Sequence, residues 1–297
     1  MTLREYLDSI KHKTVAVVGI GVSNEPLIRM LLGEGIAVTA CDKRTREQLG
    51  ALAGELESLG ARLQLGPDYL EGLDQDVIFR TPGLRPDVPQ LAKAVAQGSE
   101  LTSEMEVFFR VCPCTIIAVT GSDGKTTTTT IIAELLKKAG NTVHVGGNIG
   151  HPLLCEAGEM RPTDYAVLEL SSFQLMTMPY SPHIAVVTNL APNHLDVHKN
   201  MAEYVAAKEN IFRHQKPGDK AIFNLDNDIT RQQGASGVFQ PSGRAGKGRV
   251  PAGRRYRLPR RSGRAHRHDH RRHQAARRPQ CRELYGGYCR RGRSGAG

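Results

Sequence analysis

Apolar and polar positions fall into alternating blocks along the first 226 residues. "TVAVVGIG" (14–21) is a β-branched apolar run ending in glycine, "NEPLIRMLLGEG" (24–35) carries apolar residues at helical spacing, and "IAVTACD" (36–42) reads as a second strand. Two apolar runs joined by an amphipathic helix predict a βαβ unit with parallel strands. "DVIFRTPGL" (76–84) continues the pattern as a strand entering a Pro-Gly turn, and "PQLAKAVAQG" (89–98) as a helix stopped at Gly98. The alternation restarts at "CTIIAVTGSDGKTTTTTIIAELLKKAG" (114–140) as strand, glycine-containing loop and helix. Strands follow at "DYAVLEL" (164–170), "HIAVVTNL" (183–190) and "KAIFNLD" (220–226), with a helix at "YVAAKENIF" (204–212). The fold class is α/β. A Rossmann-like parallel-sheet domain is expected over 1–110 and a second, P-loop α/β domain over 111–230, with regular elements stopping at Asp226.

Charge separates a third region. The formal net charge of +10 over 297 residues is uneven: residues 231–297 hold eighteen Arg, Lys247 and two acids, Asp269 and Glu283, a balance of +17 that leaves −7 for residues 1–230. The four aromatics of that tail, Phe239, Tyr256, Tyr285 and Tyr288, cannot build a core, so it is expected to be disordered. No apolar run approaches the ~20 residues that cross a bilayer, and "MTLREYLDSIKHK" has no apolar segment after a basic start, which implies a cytoplasmic chain without membrane insertion. The six cysteines, at 41, 112, 114, 155, 281 and 289, lack metal-ligand spacing and are expected to be reduced thiols.

"GSDGKTT" (Gly121, Ser122, Asp123, Gly124, Lys125, Thr126, Thr127) lies between a strand and a helix, where backbone N–H groups and a helix N-terminus can meet phosphates. Lys125 adds a cation at the β/γ oxygens and Thr126 a hydroxyl for Mg²⁺, so ATP binding is expected, although Val119 stands where the general motif has glycine. "GIGVSN" (19–24) with Asp42 partly matches a dinucleotide fingerprint, but Asn24 occupies the place of its last glycine; a nucleotide crevice and a plain tight turn both remain open. Glu169, at a strand end facing the phosphate loop, reads as a Mg²⁺ ligand or a surface acid. His194, Asp196 and His198 cluster beyond another strand end, and Lys208 shares a helical face with Tyr204, Ile211 and Phe212, where the segment by itself reads as an ordinary solvated lysine.

"GSDGKTTTTT", "GGNIG" (146–150), "ELSSFQL" (169–175), "TNLAPNHLDVH" (188–198) and "AAKENIF" (206–212), in this order and spacing, resemble the Mur ligases over residues 1 to about 230. "TPGL" (81–84) and "TSEMEVFF" (102–109) point to the branch that adds D-glutamate. The resemblance implies an ATP-dependent, amide-forming ligase of peptidoglycan precursor synthesis. Its substrates would be UDP-N-acetylmuramoyl-L-alanine and D-glutamate, its cofactors ATP and Mg²⁺, and its state a monomer. By resemblance Gly21, Val22, Ser23, Asp42, Lys43, Arg44, Thr81, Pro82 and Gly83 bind the uridine diphosphate, and Asn148 and Ser171 line the substrate side. Lys125 and Thr126 hold ATP and Mg²⁺, Glu169 and His194 ligate Mg²⁺, and Lys208 matches the lysine that the family carbamylates into a second metal ligand. Asp123 and Asn193 stand where other members have Asn and Asp.

After "NLDNDIT" (224–230) the resemblance stops, and the Arg/Gly/Pro-rich tail has the composition of GC-rich coding DNA translated out of frame. "QCRELYGGYCRRGR" (280–293) can be encoded so that a start one nucleotide later reads Asn-Val-Glu-Asn-Tyr-Met-Ala-Ala-Ile-Ala-Ala-Val-Glu, a helix-like segment similar to one in the family. A frameshifted, truncated ligase without activity is therefore expected, with no specific nucleic-acid partner. The rival reading is a P-loop nucleotide-binding protein with a nucleic-acid-binding tail and no ligase activity.

Overall fold

The computed structural model describes residues 1–193 and 197–235; His194, Leu195, Asp196 and the segment from 236 onward, including nearly all of the expected disordered tail, lie outside the described residues. The chain begins with α1 (Leu3–Ile10), whose capping box joins Thr2 and Glu5 and whose Tyr6, Leu7 and Ile10 are buried. There follow β1 (Val15–Val18), α2 (Asn24–Gly33), β2 (Val38–Asp42), α3 (Arg46–Leu49), α4 (Ala51–Ser58), β3 (Arg62–Leu65), β4 (Val77–Arg80), α5 (Pro89–Ala96), β5 (Glu100–Thr102) and α6 (Glu104–Val111). The second run comprises β6 (Thr115–Thr120), α7 (Lys125–Lys138), β7 (Val143–Gly147), a 3-10 turn (Leu154–Glu156), β8 (Tyr165–Glu169), α8 (Ser172–Leu175), β9 (Ile184–Val187), α9 (Met201–Arg213), β10 (Lys220–Phe223) and α10 (Asp228–Ala235).

Both sheets have five strands, ordered β3-β2-β1-β4-β5 and β10-β9-β6-β8-β7. Every pairing is parallel. Helices on both faces bury β1, β2 and β4 along their whole length, which is why these strands are mostly apolar without alternation, their polar residues Thr39, Asp42 and Arg80 being buried too. In each sheet the first strand is central and the chain completes one side before crossing to the other; in the first sheet it builds outward through β2 and β3, whereas in the second it goes to the edge strand β7 and returns to insert β8 beside β6. That reversal opens a crevice beyond the carboxyl end of the central strand, after β1 in one sheet and after β6 in the other.

One expectation fails here. The regular elements do not stop at Asp226: α10 follows and takes in residues 231–235, which composition alone assigns to the tail. The cause is local: the Asn227 side chain accepts from the Thr230 N–H at 3.1 Å, and the buried Thr230 hydroxyl donates to Asn227 O at 3.2 Å. Ile229 packs on the core, which gives the helix a tertiary anchor.

A continuous apolar cluster runs from Tyr6 and Phe79 in the first run to Leu168, Ile211 and Phe212 in the second. Polar contacts accompany it. Arg80, 2% exposed at the end of β4, donates from Nη1 to the carbonyls of Thr81 (3.2 Å) and Pro82 (2.9 Å) and from Nη2 to Thr177 Oγ1 (3.0 Å). Thr177 in turn donates to Glu106 Oε1 at 2.6 Å. Burial lowers the basicity of Arg80, while Glu106 opposes that shift. Arg80→Met would take the guanidinium donor from the half-buried Pro82 carbonyl and from Thr177, leaving the Thr81 carbonyl only the Leu84 N–H, and a loss of about 2–4 kcal/mol is expected. Urea denaturation would measure it; an unchanged midpoint would show that water takes over the role of the guanidinium.

Candidate functional site

At the end of β6 the chain turns through Gly121–Gly124 into α7. Gly121 is required by contact, because a Cβ there would collide with the Thr188 side chain and lie 3.1 Å from the backbone N and O of Asn189. The segment after β9 grips this loop: Ser122 N donates to Asn189 O (2.9 Å), Asp123 N to Asn189 Oδ1 (2.8 Å) and Thr188 Oγ1 to Asp123 O (2.7 Å). Val119 sits inside β6, fully buried and paired with Glu169 and Val186, so the turn that the general motif starts with glycine begins here two residues later. Lys125 Nζ folds back onto the carbonyls of Gly121 (3.1 Å) and Ser122 (3.0 Å). A side chain curled over its own loop at a helix N-terminus is placed to hand its charge to a phosphate.

Glu169 ends β8 at 2% exposure. Its Oε2 accepts from Thr126 Oγ1 at 2.6 Å and its Oε1 from Asn148 Nδ2 at 2.8 Å. The "GGN" turn makes the second contact possible. Gly147, at φ +98°, passes so close to the Glu169 carbonyl that a Cβ would collide with it, and Asn148 N donates to that carbonyl at 2.8 Å. Ser171 caps α8 through the Gln174 N–H at 3.2 Å.

Lys208 approaches the same place from α9. It is 2% exposed; its Nζ donates to Gly121 O (2.9 Å) and Thr120 Oγ1 (3.2 Å) and lies 4.9 Å from the centre of the Tyr204 ring. Burial pushes its pKa down to about 7, repulsion from Lys125 adds to the shift, and Glu169 opposes it. Gly121, Lys125, Asn148, Ser171 and Lys208 border a cavity of about 160 Å³. The expected residues Lys125, Asn148, Ser171 and Lys208 therefore meet in one space, with Thr126 and Glu169 bonded to one another beside it. His194 and Asp196 lie outside the described residues. His198 is buried, 2.9 Å from Ser172 Oγ and stacked on Phe173 with ring centroids 5.4 Å apart.

The other crevice gathers the expected uridine-binding residues at the ends of β1, β2 and β4. Gly19, at φ +89°, leaves no room for a Cβ, which would lie 2.8 Å from Thr81 Cγ2. Asp42 accepts from Ile20 N (2.7 Å), Arg44 N (2.9 Å) and the Arg44 guanidinium (2.9 Å). Burial would raise its pKa, but Arg44 and the two backbone donors hold it below the ordinary carboxylate value. Val22, 79% exposed, stands at the rim with Gly21, Lys43 and Gly83, while Ser23, Pro82 and Thr81 are half-buried. Asn24 explains the departure from the dinucleotide fingerprint: its buried Nδ2 donates to Val18 O (3.2 Å) and Gly19 O (2.9 Å), tying strand to helix where a glycine would allow bare packing.

Several contributors escaped the sequence reading. Thr120, fully buried, receives Lys208, and the Tyr204 hydroxyl meets Ser122 Oγ at 2.9 Å. Tyr204, Lys208, Ile211 and Phe212 share a helical face, and the solvated lysine expected from that segment is instead buried with its apolar neighbours, because α9 lays this face against the loop after β6.

The geometry defines a parallel-sheet P-loop chain with a second crevice at the ends of β1, β2 and β4. Residues 119–240 match the family described as the Mur ligase middle domain. This part of the chain belongs to the Mur ligase family. The chain is 55% identical over 230 residues to the UDP-N-acetylmuramoylalanine–D-glutamate ligase of Ruminiclostridium cellulolyticum, a match covering 77% of this chain and 50% of that relative. The same enzyme of Clostridium botulinum strain Langeland is 54% identical over 229 residues, again 77% and 50%. The chain thus spans about half the length of these curated relatives. Among solved structures, the UDP-N-acetylmuramate:L-alanyl-gamma-D-glutamyl-meso-diaminopimelate ligase from Neisseria meningitides shares the fold, with a TM-score of 0.52 and 17% identity over 77% of this chain and 76% of that one.

Lys208 supplies a pH test. Selective amine labelling followed by peptide mass analysis is expected to show a midpoint near 7 for Lys208, against the ~10.4 of exposed lysines. Lys125→Ala should raise that midpoint and Glu169→Gln should lower it. Because the unfolded chain holds this proton up to about 10.4, stability should rise with pH from about 7 toward that value. A Lys208 midpoint near that of the surface lysines would mean that water reaches the amine.

Proposed function

We propose that this chain carries the uridine-nucleotide and ATP sites of a ligase that joins D-glutamate to UDP-N-acetylmuramoyl-L-alanine in peptidoglycan precursor synthesis. The observation that carries the proposal is the convergence of Lys125, Thr126, Asn148, Glu169 and Lys208 around one loop. Likeness to two D-glutamate ligases at 54–55% identity supports the choice of substrates. The residues fit Mg²⁺: a hydroxyl and a carboxylate 2.6 Å apart form the oxygen-rich set that a hard cation prefers. Thr126, Glu169 and His194 would hold it, and a bound Mg²⁺ would neutralise the charge of the transferring phosphoryl group.

The chain's own residues then have distinct tasks. Gly121–Thr127 cradle the triphosphate and Lys125 leaves its carbonyl partners for the β/γ oxygens. The substrate carboxylate, positioned beside Asn148 and Ser171, attacks the γ-phosphorus; ADP departs, and the amine of D-glutamate displaces phosphate from the resulting acyl phosphate. Lys208, with its lone pair free above about pH 7, can add to CO₂ and become a carbamate, exchanging a cation for an anion. Gly21–Ser23, Asp42–Arg44 and Thr81–Gly83 hold the uridine diphosphate. The same reading makes this a monomeric cytoplasmic enzyme; among the described residues no helix is long and apolar enough to cross a membrane.

The experiment is to sequence the gene across the codons for residues 226–240 and to express the chain with the alternative frame restored after residue 230. An open downstream frame and D-glutamate-dependent phosphate release, lost in Lys125→Ala, are expected. A single clean frame through residue 297, or a folded restored chain that binds ADP yet releases no phosphate with both substrates, would overturn the proposal.

A further inference from the structure

The turn from Thr81 to Asp87 carries part of the uridine crevice, and its far end is fastened to the other sheet's helix. Arg85 donates from Nη1 to Glu203 Oε2 (3.1 Å) and from Nη2 to Glu203 Oε1 (2.9 Å), a two-pronged pair across 118 positions of sequence. The same guanidinium holds Asp87 through Nε (2.7 Å) and Nη2 (2.9 Å) and donates to the Val197 carbonyl (2.9 Å). Glu203 is also tied at its own end, accepting from Lys199 N at 2.7 Å, and Lys199 Nζ reaches Asp87 at 3.0 Å. Isolated surface ion pairs contribute little, but a forked arginine within a closed network of four charges, with Arg85 and Glu203 side chains only 22% and 27% exposed, is a defined mechanical joint.

What the joint connects gives it a role. Glu203 lies in the first turn of α9, and the next residue, Tyr204, touches Ser122 of the phosphate loop (2.9 Å) while Lys208, one turn on, touches Gly121 (2.9 Å). The path from uridine turn to phosphate loop is therefore one ion pair, one rigid helix and two hydrogen bonds. We propose that Arg85 and Glu203 are positioning residues through which occupation of the uridine crevice and occupation of the phosphate loop strengthen each other. This rests on the two sites assigned under the proposed function. A ligand that orders the 81–87 turn sets the fork, the fork sets α9, and α9 sets Ser122 and Lys208 against the second ligand. Neither residue need touch either ligand.

The test uses the 297-residue chain with UDP and Mg·ADP as probes, titrated calorimetrically alone and each in the presence of the other. Saturating UDP is expected to tighten Mg·ADP binding by roughly fivefold or more, and Mg·ADP to tighten UDP by the same factor, since coupling between two binding sites is reciprocal. Arg85→Met and the near-isosteric Glu203→Gln should each bind either probe alone within about threefold of the unmodified chain, while the mutual factor falls to about one. The double variant should lose no more coupling than either single one, as expected of two residues acting through one contact. Arg85→Lys, which cannot fork, should retain only part of the factor. Coupling that survives in Glu203→Gln, or two probes that bind the unmodified chain independently, would overturn the proposal. If neither probe binds the unmodified chain, the assignment of the sites fails first, and the link falls with it.

Discussion

A carboxylate taken out of water must be given donors, and at Glu169 that requirement organises the second sheet. Burying such a charge without partners costs several kcal/mol. Glu169 receives one donor from the first turn of α7 and one from the turn after β7, so each oxygen is bound to a different connection of the fold. The two connections flank β8 and the central strand β6, and the acid can be satisfied only when both turns are in register. The "GGN" turn and the phosphate loop are thus mutually dependent through a single side chain, which gives Gly147 its close approach to the strand-end carbonyl.

Lys208 is the complementary case. Its ammonium would be buried beside Lys125, and its hydrogen bonds run to one carbonyl and one hydroxyl, with a carboxylate attractive but unbonded. The compromise is a lysine that titrates near neutrality and so carries a reactive lone pair in a place shielded from water. A surface lysine would stay protonated at neutral pH, and an arginine could never lose its proton.

Legibility in the sequence followed burial. The strands β1, β2, β4, β6 and β8 announce themselves because both of their faces are covered, so apolar residues dominate and the polar ones fall mainly at strand ends, while β9 and the exposed edge strand β10 were legible from their short apolar runs despite partial exposure. The missed strands β3, β5 and β7 are sheet edges of three to five residues with partial exposure, and in β7 a histidine and two glycines dilute the signal further. The phosphate loop was readable because its chemistry is local in sequence. Glu169 was half-readable as an acid at a strand end. The role of Lys208 needed the family resemblance, since only the fold brings it to Gly121. Arg80, Arg85 and Glu203 were invisible, because their partners lie 97 and 118 positions away and no periodicity reports such pairs.

Those long-range pairs bear on how far the two sheets can be treated as separate. Glu104, buried in α6, accepts from the Leu154 N–H at 3.0 Å, and with burial dominating its pKa rises to about 7. Arg80 and Glu106 meet through Thr177, and the apolar cluster continues underneath. Cutting the chain between α6 and β6 would expose an acid, an arginine and the apolar faces around them at once, each of which is tolerable only with its partner present. The crevice at the ends of β1, β2 and β4 is therefore formed by residues 19–83 but supported from residues 154–203, and the two crevices share a scaffold that neither sheet supplies alone.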